Sequence, residues 1–151
     1  MKSKINESII CKNKKASFEY FILDKIEAGI VLQGWELKSL LYHKSSIDES
    51  YATIINKEIW LINCNIEKYK NTNDLNVNTK RKRKLLLNHD EIIKFAKKAE
   101  QQGHTIIPLK LYFNQGKVKV ELAVCKGKKN HDKRQANKLK EHKKEIKKYS
   151  I

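Results

Sequence analysis

Apolar residues in this 151-residue chain fall into short, separated runs whose period changes along the sequence. Tyr20 to Leu32 reads as a strand: Phe21, Leu23 and Ile26 lead into Ile30-Val31-Leu32, with Gly29 and Gly34 placed as a bulge and a strand end would be. Trp35 to Tyr42 switches to helical spacing, with Leu37, Leu40 and Leu41 on one side and Glu36 and Lys38 off it. Ser45-Ser46 ends that segment. Tyr51 to Ile55 and Ile59 to Ile66 read as two strands, and the short connection Asn56-Lys57-Glu58 makes them a hairpin. Residues 67–80 are polar and Asn-rich, too poor in apolar side chains for a strand. Asn88 with Glu91 three residues later is a capping-box pattern; Ile92, Ile93, Ala96 and Ala99 mark one helix face, and Gly103 stops it. Ile106 to Phe113 is a strand with Leu109, Leu111 and Phe113 on a shared face. Val118, Val120, Leu122 and Val124 alternate with Lys117, Lys119, Glu121 and Ala123, a half-buried strand joined to its predecessor through Asn114-Gln115-Gly116.

Five or six strands, joined mostly by hairpins and interrupted by two short helices, predict a mainly β domain. Hairpins join antiparallel neighbours, and a small antiparallel sheet removes its exposed edges by closing on itself. The expected fold is a small antiparallel OB-like barrel with flanking helices; a half-open sheet packed by helices is the alternative. The domain spans residues 1–125, with 1–12 expected to be flexible, and 126–151 form a separate tail.

Charge sharpens this picture. The chain carries 33 Lys and Arg against 17 Asp and Glu, a net charge of +16. Lys126 to Ile151 alone holds eleven cations and three carboxylates, half of that net charge, with few apolar side chains. Such a segment buries too little surface to offset its ordering entropy, so it is expected to be disordered alone. From Asp132 onward it has neither Gly nor Pro and is rich in helix formers, so it can become helical where phosphates neutralise its self-repulsion. A folded cationic domain with a cationic tail is the footprint of a protein that works on polyanions, most simply RNA or DNA.

Other classes find little support. No apolar run approaches the roughly 20 residues that span a bilayer, and the amino terminus lacks the apolar core of a secretory signal. Cys11, Cys64 and Cys125 have no paired spacing, which argues against a disulfide framework or a zinc site and fits a reducing cytosol. There is no GxSxG, phosphate-binding Walker loop or HExxH motif, and the five histidines are scattered. No catalytic residue, metal site or cofactor is assigned, and binding is the favoured class.

Lys80 to Lys84 reads KRKRK and feeds directly into Leu85-Leu86-Leu87 and the capped helix, so its charges are expected to sit on a rigid scaffold; Lys14, Lys15, Lys38, Lys117 and Lys119 extend the cationic set. Glu27 stands out as a carboxylate in this cationic setting. It either pairs with a neighbouring Lys or accepts hydrogen bonds from base amino groups, which phosphate contacts cannot replace.

Five strings occur in order: EAGIVLQGWELKSL (Glu27–Leu40), RKLLLN (Arg83–Asn88), PLKLYF (Pro108–Phe113), GKVKVEL (Gly116–Leu122) and KGKKNHDKR (Lys126–Arg134). In order and spacing they resemble the bacterial SsrA-binding protein (SmpB) family, from about Asn13 to the carboxyl end. The resemblance implies a non-enzymatic, cytoplasmic, monomeric protein that binds transfer-messenger RNA (tmRNA) and acts in trans-translation, the rescue of ribosomes stalled on messages lacking a stop codon. It implies that the domain holds the tRNA-like part of tmRNA and supports its aminoacylation by alanyl-tRNA synthetase and its delivery by elongation factor Tu. A generic cationic RNA chaperone or ribosome-associated protein is the alternative.

Carried over residue by residue, the resemblance assigns tmRNA contacts to Glu27, Leu86, Asn88 and Lys119; the charge pattern adds Arg81, Arg83, Lys84, Lys14 and Lys15 as further cationic contacts. The resemblance assigns the tail motif to the ribosomal decoding centre: His131 stacks on a small-subunit rRNA base, Lys128, Lys129, Lys133 and Arg134 meet phosphates, and Asp132 orients a neighbouring cation. The remaining tail is implied to be helical in the empty mRNA channel. Three stretches depart from the family pattern, one of them the hairpin turn, where Asn56-Lys57 stand in place of the usual Gly. Ser17-Phe18 replace a basic residue and a histidine, and Asn78-Thr79 replace an Asp-Pro pair.

Overall fold

The computed structural model describes residues 7–70, 72, 76–129, 134, 138 and 139. In chain order these form β1 (Glu7–Lys12), α1 (Ala16–Glu19), β2 (Tyr20–Ile30), α2 (Gly34–Leu41), β3 (Ser45–Ser46), β4 (Tyr51–Ile55), β5 (Glu58–Ile62), β6 (Asn65–Ile66), β7 (Arg83–Leu86), α3 (His89–Ala99), β8 (His104–Asn114) and β9 (Lys117–Gly127). All pairings among these strands are antiparallel. The order β8-β4-β5-β7-β2-β9 returns to β8, making a near-closed ring, as the hairpin-rich pattern predicts. The weakest seam is β4 against β8, a single pair at Ala52 and Ile106. β3 and β6 form a separate two-stranded sheet.

Local chemistry explains the ring. Both short hairpins turn through two residues with positive φ: Asn56 and Lys57 at 51° and 65°, Gln115 and Gly116 at 52° and 77°. That backbone matches the right-handed twist of the strands it joins. The alternation in β9 puts Val120, Leu122 and Val124 inside, where they meet Ala28, Ile59, Leu61, Leu85 and Leu111.

The structure departs from the sequence reading at five places. Residues 7–12, expected to be flexible, form β1. It pairs with the Lys110–Asn114 end of β8 and buries Ile10, satisfying an edge that β4 leaves open. Leu109 does not share the face of Leu111 and Phe113. A bulge between Pro108 and Lys110 shifts the register, and Leu109 packs instead with Ile107, Ala123 and Cys125 in a second, smaller cluster. In α3 the buried residue is Phe95, flanked by Ile92 and Ala99, while Ile93 faces outward. The α2 helix buries Leu40 as expected but pairs it with Glu36 and Ser39, while Leu37 and Leu41 are exposed, so the buried face is rotated from the expected one. At the far end, β9 runs through Gly127, and the Lys128 N–H donates to Glu19 O at 2.8 Å, so the domain extends past the expected boundary at 125.

Candidate nucleic-acid interface

The outer faces of β7, β2, β9 and β8 present a cross-strand row. Leu86 lies opposite Gly29, Gly29 opposite Lys119, and Lys119 opposite Tyr112. One step along the same face, Glu27 lies opposite Glu121, and Glu121 opposite Lys110. Register across four strands thus brings Leu86, Lys119 and Glu27 onto one surface. A groove of about 460 Å³ follows the first row, lined by Gly29, Leu32, Gln33, Leu37, Leu86 and Lys119 among others.

Each member is held by its neighbours. Leu86 is 50% exposed, a high value for a strand leucine, and it overhangs Gly29. A Cβ at position 29 would sit 3.3 Å from Leu86 Cβ, so the glycine is what lets Leu86 lie flat against β2. The Tyr112 hydroxyl donates to Glu27 Oε2. Tyr112 is itself buried, so its phenol is a fixed donor that aims the carboxylate outward. Two carboxylates directly opposite each other repel. Here Lys25 and Lys110 relieve that repulsion, each with Nζ 3.9 Å from Glu121, and Lys110 also lies 4.9 Å from the centre of the Tyr112 ring. The surface therefore offers an apolar ledge, a cation and an oriented acceptor within two rows: contacts for a ribose or base face, a phosphate and a base amino group respectively.

Asn88 follows Leu86 by two positions and is exposed at the start of α3. Its backbone N–H donates to Glu91 Oε1 at 3.0 Å, so the predicted capping box is present. Lys84 pairs with Glu58 at 3.3 Å, and Lys82 lies over the Trp60 ring at 4.7 Å; both reach towards β5 and neither lines the groove.

The KRKRK block does not act as one cationic surface. Arg83 is 0% exposed, which rules out the RNA contact expected of it. Its Nε donates to Glu36 Oε2 at 2.6 Å, its Nη1 to Cys64 O at 2.6 Å, and its Nη2 to Thr79 O at 3.0 Å. Half-buried Arg81 grips the same carboxylate, donating through Nη2 to Oε1 at 2.6 Å and through Nε to Oε2 at 3.0 Å. Glu36 Oε1 also accepts from the Gln33 N–H at 2.7 Å, closing the start of α2. Burial pushes the Glu36 carboxyl up, but Arg81, the Gln33 N–H and Arg83 outweigh it, and the pKa lies below its ordinary 4.5. The two arginines fasten α2 to the segment entering β7, and Arg81 serves that role as well.

Lys14 and Lys15 do not join the groove either. Lys15 pairs with Glu49 at 3.1 Å, the Lys14 N–H donates to Asp48 Oδ1 at 3.3 Å, and neither lysine lines the groove. Lys128, assigned to the tail, is tied to the barrel: its Nζ donates to Ser17 O at 2.9 Å and lies 5.1 Å from the centre of the Phe21 ring. Lys129 is exposed, and Arg134 is exposed with helical backbone. His131, Asp132 and Lys133 lie outside the described residues.

Tyr112, Gly29 and Glu36 support this surface and its scaffold in ways that sequence reasoning passed over. A tyrosine among the apolar residues of a strand and a carboxylate inside an amphipathic helix are the signals that could have exposed two of them. Among the described residues, no group of three His, Cys, Asp or Glu could hold a metal ion. Burial pushes the Cys64 thiol up to about 12 and Cys125 up to about 11, far from thiolate at neutral pH.

Comparison with known proteins gives a consistent answer. A family model described as SmpB protein matches residues 10–150. An SsrA-binding protein of Fervidobacterium nodosum is 49% identical over 142 residues, covering 93% of this chain and 95% of the relative. One from Desulfitobacterium hafniense is 46% identical over 141 residues, covering 93% and 90%. Among solved structures, a chain described under the words "tmRNA-SmpB: a journey to the center of the bacterial ribosome" is 40% identical, with a TM-score of 0.68, covering 83% of this chain and 92% of that one. The chain belongs to the SsrA-binding protein (SmpB) family.

Proposed function

We propose that this protein binds the tRNA-like domain of tmRNA through the Leu86–Gly29–Lys119 row and the adjacent Glu27, and that its basic tail engages the ribosome during trans-translation. The observation that carries the reading is the register: residues distant in sequence, each able to make a different RNA contact, share one face. The descriptions of the relatives, SsrA-binding protein and tmRNA-SmpB at the bacterial ribosome, support the choice of RNA.

No residue is asked to make or break a bond. Lys119 supplies charge to a phosphate, Leu86 and the groove floor supply apolar contact, and Glu27 reads a base edge in the orientation that Tyr112 fixes. The tail, with His131 as the stacking residue and Lys129, Lys133 and Arg134 as phosphate contacts, takes the place of missing codon–anticodon pairing in the decoding centre and continues along the empty mRNA channel. Aminoacylation by alanyl-tRNA synthetase and delivery by elongation factor Tu follow through tmRNA itself.

Variants test this division of labour. Glu27→Ala and Lys119→Ala should each lower tmRNA affinity while leaving the melting temperature unchanged, because both side chains lie outside the core. A large loss of thermal stability would show that they are structural. Deleting residues from Asn130 onward should leave folding and tmRNA affinity nearly intact yet abolish release of stalled ribosomes in a translation assay. Collapse of tmRNA affinity in that deletion would contradict the reading.

A further inference from the structure

A second cleft, of about 550 Å³, lies beyond the far end of α2 from the groove. Its walls come from two segments. Tyr42 and Lys44 follow α2, and Lys68, Tyr69 and Lys70 follow β6. The Tyr42 and Tyr69 rings are nearly parallel, 17° apart, with centres 6.1 Å from each other. Tyr42 is 64% exposed, far more than an aromatic ring placed for packing. Lys38 Nζ lies 5.5 Å from the centre of the Tyr69 ring. Lys38, Lys44, Lys68 and Lys70 are all exposed, and none forms an ion pair among the described residues.

The cleft is built in advance. The Lys44 carbonyl accepts from the Glu67 N–H at 3.0 Å, the Ser39 hydroxyl donates to Glu67 O at 2.6 Å, and Ser45 pairs with Ile66 in the β3–β6 sheet. At the end of α2, His43 turns the chain with φ at 58°, while its N–H donates to Leu40 O and that of Tyr42 to Ser39 O. Each tyrosine is thus presented from a stitched backbone, so ordering these rings costs little on binding. Parallel aromatic rings ringed by unpaired ammonium groups are the chemistry of a single-stranded nucleic acid site. The π-face takes a base of any identity, and the cations follow the backbone on either side of it. A duplex hides its base faces and has nothing to stack there.

We propose that this cleft is a second RNA site, in which an unpaired nucleobase stacks on Tyr42, backed by Tyr69, with its flanking phosphates held by Lys44, Lys68 and Lys70. The choice of RNA as ligand rests on the function proposed above; the site itself is separate from the groove. The exposed Leu37 and Leu41 on α2 lie between the two, so a strand leaving the groove has a short path to the cleft.

The test uses the full chain and an unstructured ten-nucleotide RNA carrying one central 2-aminopurine, whose fluorescence is quenched by stacking. A duplex of the same sequence is the control. Wild type and Tyr42→Phe should quench the single strand alike. Tyr42→Ala should lose the quenching and bind roughly tenfold or more weakly, in line with the stacking free energy of one base, with duplex binding unchanged. The double variant Glu27→Ala/Lys119→Ala should still quench, so failure of the groove and failure of the cleft give different results. Quenching that survives in Tyr42→Ala, or an equal loss of single-strand and duplex affinity, would overturn the proposal.

Discussion

At the residue scale, the contact between Tyr112 and Glu27 decides how the proposed interface can discriminate. A surface carboxylate among lysines would ordinarily swing towards the nearest ammonium. Here one oxygen accepts from a buried phenol, and Glu27 Oε1 has no partner among the described residues. Tyr112→Phe should therefore lower tmRNA affinity by roughly 3- to 10-fold, the scale of one typical hydrogen bond, with little change in melting temperature. In a Glu27→Ala background the same substitution should add nothing, which a double-mutant cycle of binding constants checks. Gly29→Ala should lower affinity too, because the new methyl pushes at Leu86 from 3.3 Å. A crystal structure of that variant should show Leu86 displaced. Sequence motifs pointed to Glu27, Leu86 and Lys119 but not to Tyr112 or the duty of Gly29. Those depend on which strands lie side by side, and the β2–β9 and β2–β7 pairings join segments far apart in the chain.

At the element scale, α2 and the entry to β7 form one unit through Glu36. Hydrophobic periodicity placed the helix within a residue of Gly34–Leu41 and gave the burial of Leu40, but put Leu37 and Leu41 on the buried face and Glu36 off it. Two arginines made burying the carboxylate tolerable, and the helix rotated to deliver it. Arg83→Ala should destabilise the fold by about 3–5 kcal/mol, since it leaves Glu36 buried with one of its two arginines gone; denaturant unfolding measures this. The depressed Glu36 pKa also sets a pH dependence. Its contribution is fully present above the unfolded value, near 4.5, and is lost as pH falls from there through the lower folded value. Melting temperature should therefore fall with acidification below about pH 4.5 more steeply in wild type than in Glu36→Gln. The hairpins, by contrast, were legible in outline, although each turn is one residue shorter than the connection expected, and the strand expected from Ile59 to Ile66 stops at Ile62, with Asn65–Ile66 pairing in the separate β3–β6 sheet. Alternation in β9 and two-residue turns are local signals, whereas β1 was missed because its partner edge on β8 exists only once the ring forms.

At the scale of the whole molecule, charge is divided between a rigid body and a tail. The barrel supplies oriented contacts of three chemical kinds, and the tail supplies density of positive charge. Phosphate contacts alone bind any RNA and weaken steeply as salt rises, because each releases counterions. Contacts to a ledge and a base edge are far less sensitive to salt, and they are what distinguishes one folded RNA from another. Composition alone was enough to announce a polyanion partner, and the five motifs named the family. The proposed place of specificity on the barrel needed the three-dimensional register.

The central claim is that discrimination resides in the barrel face rather than in net charge. The most direct measurement is the affinity of the full chain for tmRNA, bulk tRNA and a random RNA of tmRNA length, each at low and at high salt. All three affinities should drop as salt rises, while the preference for tmRNA holds or widens. Convergence of the three values at high salt would show a polycation without specificity and contradict the account.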